Sequence, residues 1–266
     1  IEPDLGVSTD RGRIEARILK LQNEYAPGLV PRIYLYDEVM CAMIMEDMTG
    51  HTMMRTGLLQ HQTYLRFAED ITTFLANCLL RTSDLVMDHK EKKKLVGEFI
   101  NPDLCGITED LVLMEPYNDI YGRNHVFAPN RDFIRREVYE DTALRLEAAK
   151  LKFEFMNHAQ ALIHGDLHTG SVFINQEHTY VFDPEFAFYG PMGYDIGNVV
   201  MNLLFAWCNG EAVMEDGKEK EDFLDWCMDA MADTVDLFVQ KYDAVFEQYV
   251  TEPMAKVPGF KSWYLS

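Results

Sequence analysis

The thirty residues from Leu162 to Pro191, "LIHGDLHTGSVFINQEHTYVFDPEFAFYGP", constrain this chain more than any other feature. They combine one His-Gly-Asp, one Asp-Pro-Glu and short apolar runs. Asp166 follows an apolar run and a glycine, so it is expected where a strand gives way to an irregular loop, a common position for a reactive side chain. Val172–Asn175 and Thr179–Phe182 are short enough to pair as a hairpin through Gln176-Glu177-His178, which would bring Asp183 near Asp166. Asp183 and Glu185 differ by two positions, so an extended backbone points both carboxylates to one side. Three converging carboxylates repel one another unless a cation or protons offset them. Oxygen ligands without cysteine or clustered histidine favour Mg²⁺ over zinc. A metal beside one free carboxylate suits phosphoryl transfer, in which the protein chiefly positions groups and neutralises charge.

The rest of the chain narrows the setting. At 266 residues it can bury a sizeable core in one large domain or two smaller ones. Its formal net charge of −20 disfavours nucleic acid and anionic membranes, and suits cationic visitors. No apolar run approaches the roughly 20 residues that a membrane helix needs. Five scattered cysteines, never paired as Cys-x-x-Cys, argue against a disulfide framework or zinc site and suit a reducing, cytoplasmic compartment.

A coarse reading starts with Ser8-Thr9-Asp10 capping a helix that carries Ile14, Ile18 and Leu21 and ends at Pro27-Gly28. Strands over 32–36 and 39–45 then meet at Asp37-Glu38. Helices are expected over about 61–81, 131–158 and 194–207, and a last one follows an acidic break at 211–222 and runs to about Val250. Lys90–Lys94 reads as a solvated basic run. Met40, Met43, Met45, Met48, Met53 and Met54 read as gap-filling core. His164 is expected to brace its loop, and Asp195 to cap a helix.

"HGDLHTGS" resembles the catalytic loop of the aminoglycoside-phosphotransferase-like kinases, whose usual form is His-Gly-Asp-x-His-x-x-Asn. The string from His164 to Gly197, with "DPEFAFYGPMGYDIG", is closer still to the 5-methylthioribose kinases of that superfamily. The upstream "RGRIEARILKLQNEYAPGLVPRIYLYDEVMCAMIMEDM" is also similar to them. The resemblance implies an α+β, protein-kinase-like two-lobed fold. Residues 1–48 would form the remainder of a small β-containing N-terminal lobe and the hinge, and residues 49–266 a mostly helical C-terminal lobe. It implies Asp166 as catalytic base, Asp183 and Glu185 as Mg²⁺ ligands, and Glu46, Asp47 and Met48 as the hinge that reads the adenine of ATP. His168 and Ser171 would lie toward the nucleotide, and Glu15 would pair with a phosphate-binding lysine.

Ser171 stands where the superfamily carries a metal-binding asparagine, a departure shared with methylthioribose kinases. Gly165 and His168 stand where protein kinases place Arg and Lys, which favours a small-molecule acceptor. The glycine-rich loop and lysine strand are expected upstream of residue 1, and the family's paired arginines beyond Ser266. The tryptophan-bearing substrate loop should fall near "YGRNHVFAPN", which offers Arg123, Asn124 and His125 but no Trp. The expected activity is ATP-dependent phosphorylation of 5-methylthioribose at its anomeric hydroxyl, in methionine salvage, and the resemblance suggests a homodimer. An aminoglycoside or other small-alcohol phosphotransferase, and a catalytically silent kinase-like binding protein, are the alternatives.

Overall fold

The structure is a computed structural model that describes residues 10–264; the expected caps Ser8 and Thr9 lie outside them. Helix α1 (Asp10–Tyr25) buries Ile14, Ile18 and Leu19 along one face. Gly28, at φ +81°, then takes the left-handed conformation that lets the chain turn away. Strands β1 (Ile33–Asp37) and β2 (Ala42–Met45) form an antiparallel hairpin. Its turn is longer than Asp37-Glu38. The Asp37 carboxylate accepts the N–H groups of Val39 and Met40 at 2.9 and 2.8 Å, and Cys41 sits at φ +47°.

The body is mostly helical. Strand β3 (Thr52–Met53) leads into α2 (Met54–Leu59), and α3 (Phe67–Arg81) supplies Phe67, Ile71, Phe74, Leu75 and Leu79 to the core. α3 starts six residues after the expected His61, because His61 itself adopts φ +55° and breaks the helix. α4 (His89–Glu98) and α5 (Pro102–Ile107) follow. Within α4, Lys92 is not solvated: it is buried, pairs with Asp84 and donates to the carbonyl of Ala159 at 2.6 Å. The long helix expected over 131–158 is divided. α6 (Arg131–Ile134) runs into a π-helical turn, and Asp141 then caps a fresh helix, α7 (Thr142–Asn157), by accepting the N–H groups of Ala143 and Leu144, each at 2.9 Å. Of the six methionines read as core, only Met54 is fully buried; Met40 is largely exposed.

β4 (Ala161–Ile163), β5 (Val172–Ile174), β6 (Thr179–Val181) and β7 (Phe188–Gly190) frame the motif. β5 lies between β3 and β6 in one antiparallel sheet, and β4 pairs with β7 in another. β3 and β7 escaped the sequence reading: β3 is two residues long and runs directly into α2, and β7 is defined by its pairing with the distant β4. α8 (Met192–Val213) and α9 (Lys218–Tyr249) pack against α3, with a break of only four residues between them where twelve were expected, and α10 (Phe260–Tyr264) closes the described chain.

One apolar cluster joins α3, α8 and α9 to the strands and to Leu19 of α1. A second joins Ile14 and Ile18 of α1 to Phe99, Leu162, Ala187 and Tyr189. α1 is thereby packed against β4 and β7, which flank the motif. The architecture is α+β, as expected. All five cysteines are free, and no helix among the described residues is long and apolar enough to cross a membrane.

Candidate active site

β4 ends at Ile163, and the next three residues are locked from below. Asp195, almost fully buried, accepts the His164 N–H at 2.7 Å and the Gly165 N–H at 3.0 Å. This corrects its expected role as a cap: α8 begins at Met192 after Pro191, with no side-chain cap. Burial raises the Asp195 carboxyl to about 7 against the opposing pull of the two N–H bonds. Gly165 adopts φ +82°, and a Cβ there would lie 2.4 Å from the Phe186 carbonyl oxygen, so no other residue fits.

His164 braces the loop, as expected. Its Nε2 lies 3.0 Å from the Phe182 carbonyl, which only accepts, so Nε2 carries the hydrogen. Nδ1 is then free to accept the Asp166 N–H at 3.3 Å. Burial pushes the imidazole down to about 4, so it stays neutral and keeps this tautomer. One side chain thus ties the end of β6 to the backbone of the candidate base.

The Asp166 carboxyl is half-exposed, and burial raises it above its ordinary value while His168 and Arg55 pull it down. His168 Nε2 lies 3.5 Å from Asp166 Oδ2. Ser171 is buried; its hydroxyl donates to the Asp166 carbonyl at 3.1 Å, so the hydrogen on His168 Nδ1 faces Ser171 Oγ at 3.0 Å. The hydrogen-bonding capacity of Ser171 therefore goes to the loop itself.

Asp183 follows β6 in a left-handed conformation, φ +63°, so simple strand alternation does not place its carboxylate beside that of Glu185. The two remain close. Burial, then Glu185, then Asp166, raise Asp183 to about 6, with His168 and Arg11 opposing. Glu15, from α1, faces the same group: burial first, then Asp183 and Glu185, raise it to about 7. Arg11 Nη1 lies 3.4 Å from Glu185 Oε2, and Asn101 Nδ2 donates to the Glu185 carbonyl at 2.8 Å. The cluster therefore unites Glu15, Asp166, Asp183 and Glu185, and its raised carboxyls reflect burial and negative charge lacking a full counter-ion. Among the described residues no three such side chains form a ready cage for a metal ion. Two carboxylates with room for outside oxygens fit Mg²⁺, which keeps waters and takes substrate phosphates as ligands.

The expected hinge lies where β2 ends. Glu46 N–H donates to the Arg32 carbonyl at 2.8 Å, and its carboxylate accepts the Arg32 N–H at 3.1 Å. Asp47 turns its carboxylate to Thr49, accepting from N at 2.9 Å and Oγ1 at 2.7 Å. The Met48 carbonyl accepts the His51 N–H at 3.1 Å. Among the described residues, the Glu46 carbonyl and the Met48 N–H have no such partner. The expected substrate loop around 121–130 is braced internally: Arg123 pairs with buried Glu115, and Asn124 Nδ2 donates to the Glu115 carbonyl at 2.7 Å.

Beside Asp166 opens a cavity of about 410 Å³ between α2 and α8. Arg55, Asn198, Asn202 and Asn209 supply polar groups, and Leu58, Leu59 and Phe205 an apolar wall. Among the described residues, Asp166 is the only carboxylate that lines it. Asn202 Oδ1 accepts from Thr169 N at 3.3 Å and from Thr169 Oγ1 at 3.2 Å, holding the loop against α8. Sequence reasoning missed these residues. The available signal was Asn198, Asn202 and Asn209, spaced four and seven apart along one face of α8.

The chain has relatives among known proteins. A methylthioribose kinase of Bacillus cereus is 42% identical over 198 residues, covering 74% of this chain and 50% of that protein. One from Geobacillus kaustophilus is 38% identical over 252 residues, covering 94% and 60%. The chain thus spans between half and three fifths of the length of these curated relatives. A solved choline/ethanolamine kinase family protein from Mesorhizobium loti aligns over 96% of this chain and 81% of its own, at 12% identity and a TM-score of 0.41, too loose a likeness to add to the family match. The model of the phosphotransferase enzyme family matches residues 3–232, and the chain belongs to that family.

Proposed function

We propose that this protein is an ATP-dependent kinase of a small neutral sugar, with 5-methylthioribose as acceptor and its anomeric hydroxyl as the nucleophile. The observation that carries the choice of acceptor is the cavity beside Asp166, with amides, one arginine, an apolar wall and a single carboxylate. A polycationic aminoglycoside calls for several carboxylates, and the acidity that gives the chain its charge of −20 is not gathered there. A polyol bearing a thioether suits amide donors on one side and Leu58, Leu59 and Phe205 on the other.

In this reading Asp166 accepts the proton of the acceptor hydroxyl as its oxygen attacks the γ-phosphorus. The bond to the bridging oxygen breaks, and ADP leaves. A carboxyl raised by burial holds that proton better than a solvated one. Through Nδ1, His164 keeps the Asp166 backbone in register for in-line attack. Asp183 and Glu185 would hold Mg²⁺, which would offset the charge of the nucleotide phosphates. The Glu46 carbonyl and Met48 N–H are the acceptor and donor pair available to adenine, with the side chain of Asp47 turned away. His168 flanks the phosphates, and Ser171 acts through it. A lobe boundary near residue 48, a cytoplasmic location and a homodimer belong to the same reading; light scattering of the purified protein tests the last.

ADP release coupled to a spectroscopic assay, with 5-methylthioribose set against an aminoglycoside panel, decides the acceptor. Turnover confined to the neutral sugar supports the proposal. Preference for an aminoglycoside defeats it, and Mg²⁺-dependent ATP binding without turnover on any alcohol returns the reading to a silent binding protein.

A further inference from the structure

Arg55 is unusual in a chain so rich in carboxylates: among the described residues its side chain makes no hydrogen bond and no ion pair. It nevertheless lines the cavity beside Asp166, and its charge pulls the Asp166 carboxyl down from the value burial alone would set. Its place depends on Gly170. A Cβ at that position would lie 2.8 Å from Arg55 Cζ and from Nη2, so the missing side chain is what lets the guanidinium rest against the catalytic loop. Asp166, His168 and Arg55 therefore face one cavity, with the fork of the arginine left uncommitted.

We propose that Arg55 binds the acceptor and, more tightly, its phosphorylated product, by donating to the oxygens around the reacting hydroxyl. The proposal rests on the reading of this cavity as the acceptor side. Phosphoryl transfer delivers a dianionic group to the acceptor, while Asp183 and Glu185, which would hold the metal, belong to the nucleotide side in this reading. The acceptor side then needs its own cation to keep that charge from facing Asp166 unscreened. Arg55 and His168 are the basic side chains lining the cavity. A planar guanidinium matches paired hydroxyls and phosphate oxygens through two parallel hydrogen bonds, a geometry that lysine cannot reproduce.

The test uses ribose 1-phosphate as the probe, titrated by calorimetry into the wild-type chain, Arg55→Met and Arg55→Lys. Arg55→Met should weaken binding by about 10- to 100-fold, with Arg55→Lys intermediate, and leave ATP affinity unchanged. The side chain is exposed, so unfolding midpoints should agree among the three proteins. Equal affinities in wild type and Arg55→Met, or no binding of ribose 1-phosphate to wild type at millimolar concentration, overturn the assignment. A failure of the wider reading looks different: no wild-type turnover of 5-methylthioribose, while ribose 1-phosphate binding still depends on Arg55. In steady-state assays of an active enzyme, Arg55→Met should raise KM for the sugar and leave KM for ATP in place.

Discussion

Two antiparallel hairpins in this molecule have nearly the same sequence signature and opposite fates. β5–β6 pairs Val172 with Val181 and Ile174 with Thr179, and all four are buried. β3 covers one edge, and Val181 N–H on the other strand donates to the Leu29 carbonyl at 2.8 Å. β1–β2 stands as a two-stranded ribbon with Tyr34, Leu35 and Ile44 more than half exposed. The first hairpin delivers Asp183 to the carboxylate cluster; the second leads into Glu46–Met48, the proposed hinge. Placing a carboxylate for chemistry takes a scaffold fixed from several sides, whereas the proposed hinge would use backbone groups that a lightly held ribbon can present.

Four measurements strain this contrast, the largest first. Asp166→Asn should lower turnover by about 10²- to 10⁴-fold with nucleotide affinity retained; near-normal turnover would remove Asp166 as the base. Gly165→Ala must accept both a left-handed backbone and a clash with the Phe186 carbonyl, and should cost about 3 kcal/mol in denaturant unfolding. A loss below about 1 kcal/mol would show the loop to be less constrained than its geometry indicates.

His164→Gln isolates a pH effect. The folded imidazole titrates at about 4 and the unfolded one near 6.5, so the unfolded chain binds the extra proton between those values. The His164 contribution is complete above about pH 6.5 and is lost as pH falls toward 4, by up to about 3 kcal/mol. Glu15 and Asp195, both raised to about 7, act in the opposite direction over much of that range, so the quantity to follow is wild type minus variant. A difference that does not shrink on acidification rejects the neutral, buried imidazole. The smallest effect belongs to the exposed ribbon: Ile44→Thr should change stability by less than about 0.5 kcal/mol. A cost above about 2 kcal/mol would mean that the ribbon is as firmly held as β5–β6, and the contrast would fail.

The sequence by itself determined the parts that depend on local chemistry. Short apolar runs punctuated by Gly, Asn and Pro marked β4, β5 and β6. Asp166 and Asp183 flank the one hairpin, which made their convergence legible, and the family resemblance rests on those same residues. Tertiary structure decided what depends on residues distant in the chain. Asp195 looks like a helix cap until its carboxylate is seen to hold the His164 and Gly165 N–H groups, and Glu15, expected to pair with a lysine, is seen to face the carboxylate cluster once α1 is in place. Lys92 belongs to a basic run until Asp84 and the Ala159 carbonyl close around it. The cavity walls came from α2 and α8, more than 130 residues apart, and no periodicity along either helix announces that they meet. Hydrogen bonds and burial between such segments follow from packing the whole core, and a linear pattern carries no record of which segments that packing brings together.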